Sequence, residues 1–511
     1  MAVKSIWLGV FALTVMLSPA HCAPLTPEQQ AAHVLNRLGY GPLPGDIERV
    51  AKMGVQRYIA QQLDPGAIAE PAALSERLAR LATVNRSAGS MMAEFIELNR
   101  DVRDEEDGAR KLRRAGLGVM SRESAEARMA RALESPRQLE EVMVDFWFNH
   151  FNVFSGKGVV RALLPSYERD AIRPHAMGSF RALLGATAKH PAMLYYLDNH
   201  LSSGTPATAA SATMGASSMA MLAPVRARGL NENYARELME LHTLGVNGGY
   251  TQKDVTELAR MLTGWSYTLR AMVDRNQTFT FEPRRHDQGV KNWLGRAVPP
   301  AGQREGEMAL DVLAAHPSTA RHISQKLAQY FVQDQPPAAL VERMARSFSE
   351  SDGDIRAVLR TLFASPEFMA GEAMGAKFKT PFHFVLSAVR ASGIQVHNVA
   401  PLTNTLDSLG MPLFGCPTPD GYKNTQQAWL NPDALSRRIT FASNLAAGRL
   451  PLAGVPAAGN AGTRAPALLD AAQLESTLAG VLSERTRALV AESSPALRPS
   501  MLLGSPDFMQ R

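Results

Sequence analysis

Two carboxylates near the middle of the chain have the residue type and spacing that proton transfer or metal binding requires. Glu237 and Glu240 lie in the stretch 231–242, which has helical periodicity. At about 100° per residue, both fall within about 60° of Asn233, so one amide and two carboxylates share a helix face. Leucines lie beside that face, so the carboxylates need cations, hydrogen-bond donors or raised pKa values. The pattern predicts a cluster that ligates a metal ion or supplies an acid/base pair.

The same spacing also fits an internal salt-bridge network. Arg236 and Glu240 are four residues apart, which is a routine ion-pair spacing on a helix. Glu-x-x-Glu is common on helices, and spacing alone favours the network. His242 lies about 200° from Glu240 around the helix axis, so the two cannot bind one ion from a single regular helix.

Three further polar segments occur in aromatic or turn settings, at 149–150, 198–200 and 286–287. The predicted ligands of a divalent metal ion are His150, Asp198, Glu237 and Glu240. The predicted catalytic residues are Glu237, Glu240, His286 and Asp287. A histidine flanked by aromatic residues also fits a hydrogen-bonded core position, and the sequence does not show that these segments meet.

Sharper catalytic signatures are absent from the 511 residues. The chain has no His-Glu-x-x-His, no Cys-x-x-Cys-His, no phosphate-binding Gly-rich loop and no Gly-x-Ser-x-Gly elbow. Cys416, between a glycine and a proline, is interpreted as a small buried hydrophobe rather than as a nucleophile.

The elements that would position these residues are mostly helices. Thr26 as N-cap and Pro27 at the first helical position predict one helix, and Asp46 begins a second. The alternation in 278–282 predicts one strand of a small hairpin with 266–268. We predict a mainly α fold, a multi-helical single large domain with a small β-hairpin insertion.

Composition divides the chain into four parts. The predicted parts are a signal peptide at 1–22, a helical domain at 25–450 with a flexible loop at 202–218, a linker at 453–466, and a C-terminal helical segment at 467–511 that packs on the main domain. We expect one helix over about 468–490 in the last part.

The signal segment predicts a periplasmic or secreted protein, since Lys4 precedes an apolar stretch and a small-residue cleavage zone. No later window predicts a stable membrane span. The net charge of +6 comes from basic residues scattered among acidic ones, which is typical of a solvated surface. Together with export, this argues against a nucleic-acid partner.

The sequence resembles a bacterial exported family, domain of unknown function 1800. The resemblance is carried by the run from Leu230 to Val246 with Gly249-Tyr250-Thr251 and Thr263-Gly264-Trp265, and by Leu35–Gly41, Phe146–Phe151, His286-Asp287 with Lys291, Leu294-Gly295, and Trp429–Pro432. Positions 416 and 422 depart from the family pattern, with Cys416 in place of proline and Tyr422 in place of tryptophan.

The resemblance implies export and a helical fold, without an established activity. It also implies a partner, because members commonly lie beside genes of a second exported family, domain of unknown function 1501, which is similar to phosphatases and sulfatases. Two hypotheses follow. The first is a metal-assisted hydrolytic enzyme acting on an envelope or extracellular substrate, and the alternative is a non-catalytic partner or assembly factor for another exported protein.

Overall fold

The computed structural model describes residues 25–99, 107–204, 229–453 and 468–511. The predicted signal peptide lies outside these ranges, as do most of the predicted flexible loop and nearly all of the predicted linker. The described ranges consist mainly of helices and contain two small two-stranded sheets. The predicted mainly α fold is therefore confirmed.

The α-helices are numbered in chain order. The first are α1 (Pro27–Arg37), α2 (Asp46–Met53), α3 (Val55–Gln62), α4 (Ala72–Ala79), α5 (Ala82–Asn85), α6 (Ala88–Leu98), α7 (Asp107–Glu134), α8 (Gln138–His150) and α9 (Val160–Ser166). The next are α10 (Phe180–Lys189), α11 (Pro191–Tyr196), α12 (Glu232–Glu240), α13 (Gln252–Met261), α14 (Leu269–Arg275), α15 (Gln303–Ala315), α16 (Pro317–Phe331), α17 (Ala338–Glu350) and α18 (Ile355–Phe363). The last are α19 (Pro366–Met369), α20 (Pro381–Ser392), α21 (Ala400–Ser408), α22 (Gln426–Trp429), α23 (Pro432–Ala446), α24 (Ala471–Thr477), α25 (Glu484–Glu492), α26 (Arg498–Leu503) and α27 (Pro506–Met509).

Local capping explains where several helices begin. The Thr26 side chain accepts a hydrogen bond from the backbone N–H of Gln29, whose side chain accepts one from the Thr26 backbone. This reciprocal pair satisfies two donors that a helix start leaves free. Thr251 and Asp254 form the same arrangement at α13. The predicted starts at Thr26 and Asp46 are confirmed.

The two sheets are antiparallel. Strand β1 (Trp265–Ser266) pairs with β2 (Thr280–Phe281), and β3 (Lys291–Trp293) pairs with β4 (Arg296–Val298). The first pair matches the strand predicted from alternation. Its connection contains α14 rather than a tight turn, and the second pair was not predicted.

One apolar cluster contains buried side chains from Ala31 to Met509. The last helices contribute to it, since the rings of Phe508 and Phe384 lie 5.8 Å apart. The single helix predicted at 468–490 is wrong, because this segment forms α24 and α25. They separate at Gly480, where a Cβ would lie 2.6 Å from the Glu28 carbonyl oxygen. Across the described ranges, no helix has the length and apolar character that a membrane crossing needs.

Candidate functional site

The carboxylate face lies on α12. The Asn231 side chain caps this helix by accepting from the Asn233 backbone N–H at 2.9 Å. Tyr234 and Leu238 are buried and hold the opposite side of the helix against the core. Glu237 and Glu240 are both partly buried, so the predicted arrangement of two carboxylates on one partly solvated face is present.

The ion pair expected in the network interpretation does not form. Arg236 instead lies 3.9 Å from the Glu232 carboxylate and donates a hydrogen bond to Gln252 at 2.7 Å. Within the ranges that the structure describes, neither Glu237 nor Glu240 has a salt-bridge partner. Among the residues that the structure describes, the two carboxylates are therefore not members of a salt-bridge network.

The surroundings of Glu237 favour its protonated form. Burial, followed by the negative charges of Glu240 and Asp420, raises the pKa of the Glu237 carboxyl, and Arg236 opposes this only in part. Burial and the nearby Glu240 carboxylate also raise the pKa of the Tyr250 hydroxyl. A carboxyl group with a raised pKa and partial access to solvent is suited to proton transfer.

Asp420 reaches this face on a loop that the end of α8 holds in place. Asn149 donates to the Tyr422 carbonyl at 2.8 Å and accepts from the Tyr422 backbone N–H at 2.7 Å. Asn152 donates to the Cys416 carbonyl at 3.0 Å. Gly421 has a φ of +69°, and a Cβ there would lie 2.2 Å from the Asn149 carbonyl oxygen, so this position requires glycine. We call residues 416–422 the clamped loop.

Lys326 lies near Asp420 of the clamped loop, and three histidines lie near Lys326. Burial and the charge of Lys423 lower the pKa of Lys326 to about 8, against the attraction of Asp420. The His150 ring centroid lies 6.1 Å from that of His242 and 6.3 Å from that of His322. Burial, followed by the charge of Lys326, lowers the pKa of each ring, to about 3 for His242 and about 4 for His322. These shifts favour the neutral form of all three rings.

The four predicted metal ligands do not converge. The His150 Nε2 atom is 3.1 Å from the His242 carbonyl oxygen, and the Asp198 carboxylate pairs with Lys157 at 2.9 Å. No group of three or more His, Cys, Asp or Glu side chains within 25–99, 107–204, 229–453 and 468–511 could hold a metal ion. The undescribed segment 205–228 contains none of these residue types.

His286 and Asp287 belong to a different cluster, beside the second sheet. The His286 Nε2 atom lies 2.9 Å from Glu305, whose other carboxylate oxygen lies 2.7 Å from Lys291. Asp287 accepts two hydrogen bonds from Arg260 at 3.0 Å. The side chains of His286, Lys291 and Glu305 are fully buried, so this cluster joins the sheet to α13 and α15. The structure does not bring the predicted catalytic pair His286–Asp287 to the carboxylate face.

A comparison with protein families gives one match. The sequence model of one family matches residues 33–510, nearly the whole described chain. The chain belongs to the family described as protein of unknown function (DUF1800). The match covers the DUF1800 motif around Glu237 and Glu240 and the clamped loop. No curated protein and no solved structure matches the chain.

Sequence reasoning missed Asp420 at the carboxylate face and Lys326 near Asp420. Both are far from α12 in sequence, and the fold brings Asp420 near Glu237 and Lys326 near Asp420. Asn149 was noted as a weak polar candidate, and its contacts with Tyr422 now give it a positioning role. In the sequence, the feature that pointed to Asn149 was a polar amide among aromatic residues at the end of a predicted helix.

Proposed function

We propose that this protein is an enzyme that hydrolyses a substrate outside the cytoplasm, with Glu237 as its proton-transfer group. The observation that carries the proposal is the Glu237 carboxyl itself. It is partly buried, has no ion pair within the described ranges, and has its pKa raised by burial and by Glu240 and Asp420. Structural carboxylates at such depth are usually paired with cations, so an unpaired one suggests a functional role.

The proposed chemistry is general acid–base catalysis. The protonated Glu237 carboxyl donates its proton to the leaving-group oxygen as the scissile bond breaks, and the resulting carboxylate accepts a proton from the attacking water. Glu240 and Asp420 contribute by keeping Glu237 protonated to higher pH than an isolated glutamate. Lys326, with a pKa lowered to about 8, lies within electrostatic reach of Asp420 and is a second group near Asp420 that can exchange a proton.

We propose that this face transfers protons and that protein side chains alone do not form a metal centre there. Catalytic zinc ions usually have three protein ligands, and Glu237 and Glu240 would supply two. The metal-assisted form of the hypothesis therefore needs a ligand from the substrate or from solvent. Elemental analysis of the purified protein, run beside Glu237→Gln, tests this form directly.

The proposed location rests on the sequence of residues 1–22 and on the family resemblance. An exported hydrolase acts on envelope or extracellular substrates, and a phosphatase- or sulfatase-like exported protein is the proposed partner. This pairing is an association between families and does not itself indicate a mechanism.

The activity test compares Glu237→Gln with Glu232→Gln. Both residues are on α12, but Glu232 forms the ion pair with Arg236 and lies outside the carboxylate face. Wild-type protein is assayed against chromogenic esters, phosphate esters, sulfate esters and glycosides. For any substrate that is turned over, we expect Glu237→Gln to lower kcat by about 100-fold or more, and Glu232→Gln to leave it nearly unchanged.

Full activity in Glu237→Gln would remove Glu237 from the mechanism. The alternative function, a non-catalytic partner for another exported protein, would then be favoured. It predicts that wild type and both variants bind that partner equally well in a pull-down, as long as the variants fold.

A further inference from the structure

The Lys326 amine on α16 has no partner among the residues that the structure describes. Its side chain is half-buried and forms neither an ion pair nor a hydrogen bond in these ranges. The Nζ atom is nevertheless not one of the polar atoms that the fold closes off from solvent, so a small molecule can reach it. Because buried lysines are ordinarily paired, a half-buried amine without a counter-ion suggests a chemical role.

The carboxylate that attracts Lys326 is already bonded to another lysine. Lys423 donates a hydrogen bond to Asp420 at 2.5 Å, and the Lys423 side chain is mostly exposed. At Lys326, the repulsion from Lys423 is stronger than the attraction from Asp420. Asp420 therefore does not hold Lys326 in its charged form, although the clamped loop brings the two residues near each other.

Three imidazole rings also lie near Lys326, since its charge acts on each of them. His322 is four residues before Lys326 on α16, so the two side chains share one face of the helix. The ring centroids of His322 and His242 lie 6.3 Å and 6.1 Å from that of His150. Nδ1 of His150 and Nε2 of His242 are buried and have no hydrogen-bond partner in the described ranges. In their favoured neutral form, these rings offer Lys326 no negative charge.

These surroundings favour the neutral amine. Burial, followed by the charge of Lys423, lowers the pKa of Lys326 to about 8. At pH 7 about one tenth of such an amine is neutral, against less than about one part in a thousand for an ordinary lysine with a pKa of about 10.4. The neutral amine has a free lone pair, which makes it a nucleophile.

The chemistry of this amine defines the ligand. A nitrogen lone pair attacks electrophilic carbon, and carbonyl carbon is the usual target of lysines that burial or a second cation activates. Lys423 is such a second cation. An aldehyde is uncharged, so neither Asp420 nor Lys423 repels it. A small aldehyde also suits an amine that is only partly exposed.

We propose that Lys326 captures a small aldehyde as an imine. The amine lone pair forms a bond to the carbonyl carbon, and one proton moves from the nitrogen to the oxygen to give a carbinolamine. The hydroxyl group then leaves with the second amine proton as water, and a C=N bond forms. Amine and aldehyde thus give imine and water without an oxidant or a reductant. The site makes no use of Glu237 and goes beyond the proposed hydrolysis.

Reductive labelling of the full chain tests the proposal. Propanal is the probe, cyanoborohydride reduces the imines that it forms, and peptide mass spectrometry measures the label on each lysine. Exposed Lys52 on α2 is the internal reference. At pH 7 we expect Lys326 to be labelled at least about tenfold faster than Lys52, because its neutral fraction is more than about a hundredfold larger than that of an ordinary lysine and partial burial slows access. The ratio should fall to a few-fold or less at about pH 10. Labelling of Lys326 at pH 7 that is no faster than that of Lys52 would overturn the proposal.

A variant at the neighbouring lysine tests the cause of the reactivity. Lys423→Met removes an exposed charge and leaves Asp420 free to pair with Lys326, so the labelling of Lys326 at pH 7 should slow by about threefold or more. Lys253→Met, at an exposed position of α13, is the matched control and should leave the labelling of Lys326 unchanged. Equal labelling of Lys326 in wild type and Lys423→Met would refute the assignment of a reactive amine to this arrangement of charges.

Discussion

Replacing Glu237 by glutamine should make the folded protein slightly more stable at about pH 7. The wild-type carboxyl has a raised pKa, so its ionised form is less favourable in the folded protein than in the unfolded chain. Like charges three or four residues apart on a helix cost about 0.2–0.5 kcal/mol, and partial exposure of Glu237 screens this repulsion further. We therefore expect the glutamine to increase the free energy of unfolding by about 0.5 kcal/mol or less.

The salt-bridge interpretation of the same residues predicts the opposite sign. Removing one member of a buried ion pair leaves an uncompensated charge and costs about 3–5 kcal/mol. The two predictions differ in direction and several-fold in size, so one unfolding experiment separates them. We expect a gain in stability because Glu237 has no ion pair to lose. Arg236, its neighbour in sequence, pairs with Glu232, and no other cation in the described ranges forms an ion pair with Glu237.

The assay is urea unfolding followed by the fluorescence of the four tryptophans in the described ranges, Trp147, Trp265, Trp293 and Trp429. A group with a raised pKa in the folded state loses stability as pH rises from the unfolded pKa, about 4.3 for glutamate, through the folded pKa. The difference between wild type and Glu237→Gln should therefore be absent at about pH 4 and present at about pH 7. Glu232→Gln is the control and should be destabilising by about 1 kcal/mol or less. A loss of more than about 2 kcal/mol in Glu237→Gln would refute the reasoning.

Three further predictions concern Lys326, the buried cluster around Glu305, and the backbone of the clamped loop. Lys326→Met should be more stable than wild type at about pH 7, because burial makes the charged form of Lys326 unfavourable in the folded protein. The pKa of Lys326 is lowered in the folded state, so the stability of wild type should rise towards about pH 10 and the difference from the variant should shrink. Urea unfolding midpoints of both proteins at the two pH values check this. Lys291→Met should cost about 3–5 kcal/mol by leaving Glu305 buried and charged, and adding Glu305→Gln should recover much of that loss in the same unfolding assay. Gly421→Ala should release the clamped loop, because its Cβ would collide with the Asn149 carbonyl; limited proteolysis should then cut at 416–422 in the variant but not in wild type.

Features set by neighbouring residues could be predicted from the sequence. The helix starts at Thr26 and Thr251 depend on side chains three residues away, and both capping boxes form. The shared face of Glu237 and Glu240 follows from helix geometry once α12 is recognised. Ser365 and Ser505 are each followed by a proline and an acidic residue, a pattern typical of helix starts, and they cap α19 and α27 in the same way.

Features set by distant contacts could not be predicted. The spacing allows Arg236 to pair with either Glu232 or Glu240. In the structure it pairs with Glu232, and Gln252 on α13 accepts a hydrogen bond from Arg236 and donates one to Glu232. His286 has the residue type of a catalytic base, but Glu305 and Lys291 on later elements make it part of a buried cluster. Periodicity over 468–490 gives no sign of the break near Gly480, where the backbone packs closely against Glu28, a residue far away in sequence.

The contact between Gly480 and α1 has a consequence for the order in which the chain can fold. Helix α1 is the first described helix to be synthesised, and its buried side is covered in part by residues from about 480 onwards, which are synthesised much later. Contacts between segments so far apart in sequence form slowly, since a long loop must close first. The side of α1 that these residues cover therefore stays uncovered until they have left the ribosome. Such a delay would be compatible with the export that we propose, in which a chain crosses the membrane before it folds.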